Sequence, residues 1–136
     1  MRAHEFIDQR LNEQSSGYKI YYHVSPIENR DSILRAGLKP MNKRYTDIVR
    51  KPGIYLWTEF ELATDWVLSM FNHYHEDSDV WQIELPNSYE LVLDTNQILR
   101  TVNAMVTYQP IPPKYLRLIP NIDVKADIFR RHLKEI

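Results

Sequence analysis

The sequence predicts an α+β fold in a single domain spanning residues 1–136, and three observations lead to that prediction. A chain of 136 residues has the length of one domain with one hydrophobic core. Hydrophobic residues make up 43% and charged residues 26%, a balance that is typical of a folded globular chain. Extended segments are separated by helical ones early in the chain and follow one another closely later, which indicates α+β rather than a regularly alternating doubly wound sheet.

The first elements are predicted to be a helix, a strand and a second helix. Apolar residues at helical spacing in residues 1–15 predict a short amphipathic N-terminal helix. Residues 18–24 are rich in β-branched and aromatic side chains, and they predict a strand that Pro26 ends. The segment 26–36 predicts a helix with Gly37 as its C-cap.

The middle of the chain is predicted to contain a surface loop, a short strand and a longer helix. Residues 41–52 are polar with four basic side chains and predict the loop, and residues 53–58 predict the strand. Residues 59–71 place apolar side chains on one face and predict a helix with Thr58 as its N-cap. Residues 72–78 predict a loop after that helix.

The second half of the chain is predicted to be mostly extended. Four short apolar segments predict strands, at residues 80–85, 89–93, 105–108 and 115–119. A short helical turn is predicted at 95–102, and three prolines predict a rigid turn within 110–113. The tail, 123–136, is predicted to be a polar amphipathic helix.

Composition excludes several classes of protein. The 17 basic and 18 acidic residues give a net charge of -1, which favours neither a general nucleic-acid coat protein nor a membrane-surface binder. There is no Cys, so disulfides, thiolate metal sites and Cys nucleophiles are excluded. No apolar run approaches the roughly 18–20 residues of a membrane span, and the charged N-terminus lacks the apolar stretch of a signal peptide. We therefore expect a cytoplasmic protein without a membrane partner.

The first candidate site is the end of the first predicted strand. His23 and Ser25 are two residues apart, so they face the same side of a strand. An imidazole and a hydroxyl on one face can hydrogen-bond a diol or an amide. The alternative is a strand-end histidine that a neighbour satisfies.

The second candidate combines a strand with the helix that follows it. Gly53 permits a close backbone approach, and Tyr55 and Trp66 are eleven residues apart across the strand–helix turn. The two aromatic side chains could stack on both faces of a flat ring. The alternative is that both belong to the hydrophobic core.

Three further segments have weaker signals. His and carboxylate residues within 73–79 suggest a metal, but their spacing is not that of a helical zinc site, so we expect a solvated acidic loop and no metal. The basic segment 43–51 could hold a phosphate or be an ordinary surface loop, and Arg44 is its candidate phosphate ligand. The proline-rich segment 108–115 could be a short ligand for aromatic grooves, but it favours a structural turn.

Together these segments resemble the ADP-ribosyltransferase superfamily, in the diphtheria-toxin-like branch with its His–Tyr–Glu arrangement. The family's His-x-Ser/Thr strand corresponds to residues 23–25, and the Gly-Leu-x-Pro that follows its helix corresponds to 37–40. The Gly-x-Tyr strand corresponds to 53–55, and Trp66 lies where poly(ADP-ribose) polymerases usually have Tyr. The Pro-Pro-x-Tyr at 112–115 is also similar to the RNA 2′-phosphotransferases, which share the fold.

The resemblance covers roughly residues 20–119 and implies a fold and a substrate. The fold would be a split antiparallel β-sheet, with a core at about 18–120 and flanking N- and C-terminal helices. NAD would be the substrate and would lie across the split in the sheet. The acceptor of the ADP-ribose, a protein or a nucleic acid, is left open.

The resemblance also implies a role for individual residues. His23 would bond the ribose of the nicotinamide half or its carboxamide, the backbone at Val24 would hold the carboxamide, and Ser25 would support it. Tyr55 and Trp66 would lie on the two faces of the nicotinamide ring. An oxocarbenium-like ribose would form as nicotinamide leaves, and its charge would need stabilisation.

The sequence departs from the family at the catalytic Glu. Aligning Val106 and its neighbours with the family's late strand puts Ala104 or Asn103 at the Glu position. Gln109 is the nearest polar candidate, and its amide could orient an acceptor hydroxyl but cannot neutralise a cation. The catalytic candidates are therefore His23, Tyr55 and Gln109.

Four functions remain open at this point. The first is an NAD-dependent mono-ADP-ribosyltransferase. The second is a catalytically lapsed relative that binds NAD, ADP-ribose or a partner protein. The third is an RNA 2′-phosphotransferase-like enzyme, which ranks lower because Arg44 and Arg50 have no second matching His beside them. The fourth is an interaction module in which Tyr55 and Trp66 belong to the core.

Overall fold

The computed structural model describes residues 17–40, 53–93 and 104–133. This part of the chain forms an antiparallel sheet with three helices, so the α+β prediction is confirmed. The strands are β1 (Tyr18–Pro26), β2 (Ile54–Trp57), β3 (Ser78–Pro86), β4 (Val92–Leu93), β5 (Ala104–Thr107) and β6 (Leu116–Leu118). The helices are α1 (Arg30–Ala36), α2 (Phe60–Tyr74) and α3 (Asn121–Leu133), and short 3-10 turns precede α1 and β6.

The six strands lie in the order β4-β5-β2-β1-β3-β6. β1 and β3 pair along all nine residues, from Tyr18 opposite Pro86 to Pro26 opposite Ser78. In contrast, β1 and β2 have a single registered pair, Tyr22 opposite Trp57. The sheet therefore consists of two three-stranded halves, β4-β5-β2 and β1-β3-β6, that are joined over a short stretch.

Side chains alternate between two hydrophobic clusters, one on each face of the sheet. The first cluster includes Ile33 of α1 and has these buried members: Tyr21, Ile33, Leu38, Ile54, Leu56, Trp81, Ile83, Leu85 and Ile111. The second lies under α2 and α3, and its buried members are Trp57, Ala63, Val80, Ala104, Ile119 and Val124. Because β2 and β3 have buried side chains on both faces and β1 on one, a slip of one residue would expose core side chains, so the side-chain register is fixed.

A buried polar cluster joins α3 to α2. The Thr64 hydroxyl donates to Asp127 Oδ2 at 2.6 Å, and both residues are buried. Arg131 donates to Asp127 Oδ2 through Nε at 3.0 Å and to Thr64 through Nη2 at 2.6 Å. Each buried polar group of this cluster thus has a partner, which fixes the position of α3 on α2.

A buried ion pair connects α1 to β3. Arg30, the first residue of α1, donates to both carboxylate oxygens of Asp79, at 2.9 and 2.6 Å. The Asp79 side chain is completely buried, whereas 34% of the Arg30 side chain is exposed. The pair holds the chain where it leaves β1 and turns into the helix.

Four predicted boundaries of the first half are wrong. β1 extends through Pro26, whose extended backbone fits the strand end, and a 3-10 turn precedes α1, so that helix begins at Arg30 and not near Pro26. α2 begins after Glu59, which is the N-cap in place of Thr58 and makes no side-chain cap bond. The same helix continues through residues 72–74 and ends there, because its C-cap His75 adopts the left-handed conformation; the His75 N–H still donates to Phe71 at 2.9 Å.

Later predictions are confirmed except at their ends. The strand predicted at 89–93 is only β4, because Tyr89 lies in a turn and donates its N–H to the carbonyl of Pro86 at 3.1 Å. The last helix begins at Asn121, two residues before the predicted start. The predicted elements at 1–15, 41–52 and 95–102 lie outside the described residues.

Candidate functional site

His23 lies where the two halves of the sheet part. One residue beyond the pair of Tyr22 with Trp57, the imidazole Nδ1 of His23 lies 2.8 Å from the backbone carbonyl oxygen of Tyr55. A side chain of β1 therefore bridges to the backbone of β2, next to the single registered pair. The strands that carry the His-Val-Ser and Gly-Ile-Tyr motifs are joined by this hydrogen bond.

The bond determines the protonation of one imidazole nitrogen. A carbonyl oxygen can only accept, so Nδ1 of His23 must donate and must carry a proton. In the neutral ring, Nε2 is then the basic nitrogen. The histidine thus presents a defined tautomer to whatever lies on its Nε2 side.

Ser25 belongs to the protein interior. It faces the same side of β1 as His23, as predicted from their spacing, and its hydroxyl oxygen accepts a hydrogen bond from the Trp81 indole at 3.1 Å. Ser25 is only 5% exposed. The Ser25 hydroxyl therefore joins β1 to Trp81 of β3 in the interior.

Val24 faces the opposite side of β1. Its side chain packs in the second cluster, and its backbone pairs with Val80 of β3. Only the backbone of this residue is therefore available to a ligand on the His23 face.

The two predicted stacking residues are on elements that adjoin each other. Tyr55 is half-buried on β2 and shares its strand face with Trp57. Trp66 of α2 packs against Trp57, with ring centroids 6.0 Å apart and planes tilted by 46°. Trp57 was missed by sequence reasoning, although its position two residues after Tyr55 was a signal that the two share a face.

The alternation of β1 separates His23 from this aromatic face. Tyr22 lies on the α2 side and contacts the Phe60 ring at 5.6 Å, so the side chain of His23 leaves β1 on the other side. The imidazole and the Trp57–Trp66 ring pair therefore lie on opposite faces of the sheet, and the hydrogen bond of His23 reaches the backbone of Tyr55 and not its ring.

Two other motif segments contact each other. Leu38 and Ile111 form an isolated antiparallel bridge, with N–H to O distances of 2.8 and 2.9 Å. Gly37 has φ +81°, and a Cβ there would collide with the carbonyl oxygen of Ile111. The end of α1 and the proline-rich turn are thus packed backbone to backbone, and the glycine permits this.

A second glycine permits a close approach beside Tyr55. A Cβ at Gly53 would lie 2.6 Å from Val106 Cγ2 and 3.1 Å from the Tyr108 ring. β2 and β5 therefore approach closely next to the predicted site.

The residue of β5 at the position where the resemblance expects a Glu is uncharged. Ala104 is buried and pairs with Trp57, and Asn103 lies outside the described residues. Gln109 is exposed after the end of β5, where its Oε1 accepts the Glu90 N–H at 3.3 Å. Ala104 and Gln109 are thus at opposite ends of β5, and Gln109 cannot occupy the position of the family's Glu. Arg44, the candidate phosphate ligand, also lies outside the described residues.

The histidines of the segment 73–79 lie at the end of α2. Within the described ranges, no group of three or more His, Asp or Glu residues is placed to hold a metal ion. His73 lies in the last turn of α2 and His75 is its C-cap. None of the helices in the described part of the chain is both long and apolar enough to cross a membrane.

Comparisons of the chain with protein-family models, with curated proteins and with solved structures found no match. The fold and the site by themselves define an α+β domain whose antiparallel sheet parts beside a histidine. A more particular assignment depends on the chemistry of that site.

Proposed function

We propose that this protein is an NAD-dependent mono-ADP-ribosyltransferase that transfers ADP-ribose to a macromolecular acceptor. The observation that carries the proposal is the hydrogen bond from His23 to the Tyr55 carbonyl, at the place where the sheet parts. It brings together the two motifs that the resemblance identifies, although they are 32 residues apart in sequence.

Three further observations support the proposal. The antiparallel α+β sheet is compatible with the fold that the resemblance implies. The bridge between Leu38 and Ile111 packs two more motif segments against each other. With the proton on Nδ1, the neutral imidazole of His23 has Nε2 as its accepting nitrogen, and an accepting nitrogen matches a ribose hydroxyl or a carboxamide N–H.

The residues would share the work as follows. His23 would hold the nicotinamide riboside through Nε2. Tyr55 and Trp66, on the other face of the sheet, would reach the nicotinamide ring across the opening between β1 and β2. Ser25, already bonded to Trp81, would keep β1 in place behind His23. Bond cleavage would release nicotinamide and leave an oxocarbenium-like ribose, which the acceptor's nucleophile attacks while losing its proton.

A second candidate function rests on β5. Residues 95–109 contain no Asp or Glu, and Ala104 is buried at the family's Glu position. A carboxylate supplies electrostatic stabilisation that an amide cannot. We therefore infer, as the alternative, a protein that binds NAD or ADP-ribose without turnover.

The test is label transfer from NAD carrying the label in its adenylate part, with a cell lysate as the source of acceptor. His23→Asn retains an N–H donor toward the Tyr55 carbonyl but removes Nε2, so it tests the chemistry without removing the link between the strands. His132→Asn, at an exposed histidine of α3, is the matched control. We expect transfer with the wild type and the control and its loss in His23→Asn and Tyr55→Ala.

The same samples separate the alternatives. Calorimetric binding of NAD without transfer and without release of nicotinamide supports the lapsed binder. If the wild type shows neither NAD binding nor label transfer, both proposals are refuted.

A further inference from the structure

A polar groove opens on the sheet away from His23. Its volume is about 360 Å³, and its lining combines two tyrosine rings, two cations, one carboxylate and one amide, from Tyr18, Gln82, Glu84, Lys114, Tyr115 and Arg117. Tyr18 and His23 are five residues apart on β1, which corresponds to about 16–17 Å along a strand. The groove is thus a separate place from the predicted NAD site.

The groove exists because the helices cover only one part of this sheet face. Val80, near the start of β3, is completely buried in the cluster under α2 and α3. Gln82 and Glu84 face the same side farther along the strand, where Gln82 is half-buried and Glu84 is exposed. The uncovered strand surface becomes the floor of the groove.

The strand register gives the groove a polar end and an aromatic end. Gln82 pairs with Arg117, and Ile83 pairs with Leu116. Tyr115 is the last residue of the 3-10 turn before β6; it packs against the edge of the first cluster and lines the groove together with Glu84. Two residues along β3 separate these ends, which corresponds to about 7 Å. The floor thus changes from a guanidinium and an amide to a carboxylate and an aromatic ring within a short distance.

Arg117 and Tyr115 are held in place by neighbouring side chains. Arg117 donates to Gln82 Oε1 through Nε at 2.9 Å and through Nη2 at 2.5 Å. A guanidinium has five N–H donors, so this pairing leaves donors for a second acceptor. The Tyr115 ring contacts those of Tyr18 at 6.5 Å and Tyr89 at 6.2 Å, and Lys114 Nζ lies 5.1 Å from its centroid.

We propose that this groove binds a nucleoside phosphate. The base packs on Tyr115, the phosphate is held by Arg117 with Lys114 near it, and Glu84 accepts an N–H from an exocyclic amine of the base. A nucleoside phosphate has a flat ring, an anionic phosphate and an N–H donor at the edge of the base, and the lining offers an aromatic ring, two cations and a carboxylate for these three features. The proposal does not depend on the ADP-ribosyltransferase assignment, because it concerns other residues at another place.

Other ligand classes match the lining less well. A purely apolar ligand would leave Lys114, Arg117 and Glu84 without partners, which is costly for charged groups removed from water. A simple anion would use the cations but neither the rings nor the carboxylate. A nucleotide uses all of them, whether it is free or part of a single strand.

The experiment is calorimetric titration of the full chain with AMP, CMP, GMP and UMP, with the matching nucleosides, with inorganic phosphate and with a short single-stranded oligoadenylate. We expect saturable binding of the nucleotides with an exocyclic amine, weaker binding of UMP, of nucleosides and of phosphate, and weaker binding at high salt. AMP binding as tightly as the oligoadenylate indicates a free nucleotide as the natural ligand. Tighter binding of the oligoadenylate indicates a strand.

Two variants test the groove directly. Tyr115→Leu should weaken AMP binding about 5- to 100-fold through the lost stacking. Arg117→Gln should weaken it about 10- to 100-fold through the lost charge-assisted bonds, and this exposed residue can be changed without disturbing the core. Tyr74→Leu and Lys125→Gln, at exposed positions of α2 and α3, are the matched controls, and thermal unfolding checks that every variant folds.

His23→Asn separates this proposal from the preceding one. AMP binding that survives in His23→Asn and is lost in the groove variants supports the groove. Binding that is lost in His23→Asn and retained in both groove variants assigns AMP to the predicted NAD site and overturns the groove proposal. The absence of saturable binding by every nucleotide also overturns it, while label transfer from NAD would still stand.

Discussion

The ion pair between Arg30 and Asp79 makes a strong prediction about stability. Replacing Arg30 by Met removes both hydrogen bonds and leaves a carboxylate that is completely buried. Removing one partner of a buried pair costs about 3–5 kcal/mol. Because 34% of the Arg30 side chain is exposed, water can reach part of the vacated position, so we expect the lower end, about 3 kcal/mol.

The assay is urea denaturation at neutral pH, followed by Trp fluorescence. We expect Arg30→Met to lower the free energy of unfolding by about 3 kcal/mol, which for a chain of this size corresponds to about 10 °C in Tm. Arg35→Met is the matched control, because Arg35 is exposed on the same helix, and we expect it to change stability by no more than about 0.5 kcal/mol.

A double variant distinguishes a lost attraction from a charge left without its partner. Arg30→Met combined with Asp79→Leu removes both charges, and replacing a buried pair by apolar side chains is often close to neutral. We expect the double variant to be more stable than Arg30→Met alone. The reasoning is refuted if Arg30→Met costs less than about 1 kcal/mol, or if the effects of the two substitutions simply add.

Three further predictions concern other parts of the molecule. Burial disfavours the charged form of Asp127, but hydrogen bonds from Thr64 and Arg131 outweigh it and lower the pKa below its ordinary value of 3.8. The stability from these bonds is present above pH 3.8 and is lost as the pH falls through the lowered pKa. The free energy of unfolding of Asp127→Asn, measured against pH, should therefore fall less steeply in acid than that of the wild type. An equal fall in both contradicts this. Gly37→Ala should lower the free energy of unfolding in urea by more than about 2 kcal/mol, because its Cβ would collide with the Ile111 carbonyl oxygen. Gly17→Ala also has a positive φ but has open space around the Cβ, so it should cost only about 1–2 kcal/mol. Equal costs would exclude the collision as the cause. Trp66→Ala should weaken calorimetric NAD binding by about 1–3 kcal/mol, and an unchanged affinity in a folded variant counts against the predicted stacking.

The strands were predictable where one local pattern decides them. β3 alternates over residues 80–85, and the structure has a strand from Ser78 to Pro86 there. The added residues at its ends pair with β1, which is long enough to accept them. Their inclusion depends on a partner strand that is more than fifty residues away in sequence, so no local pattern could predict it.

The helix boundaries could not be predicted from local capping preferences, because these preferences are weak compared with tertiary packing. Thr58 is the better N-cap by side-chain chemistry, yet Glu59 occupies that position without a side-chain bond. Tertiary packing of α2 on the sheet sets where this helix begins. At its other end, the helix runs past the predicted stop and ends at His75, a non-glycine residue in the left-handed conformation that the sequence did not mark as a C-cap.

The candidate site was predictable as a set of residue types and not as a geometry. His23 and Tyr55 could be named from their motifs, but the bond from Nδ1 to a backbone oxygen depends on how β1 and β2 diverge. Trp57 was overlooked because it resembles a core residue, and it is one as well as being the partner of Trp66. The groove at Arg117 had no sequence signal, since it forms where two helices end their coverage of a strand.

The order of the strands has a consequence for the behaviour of the protein in concentrated solution. In the described part of the chain, the outermost strands, β4 and β6, are the shortest, with two and three residues, while the nine-residue strands β1 and β3 are interior. The unpaired backbone amides and carbonyls at both edges of the sheet are therefore few, and those of the long strands are paired within the molecule. Short margins of this kind discourage edge-to-edge self-assembly into extended aggregates.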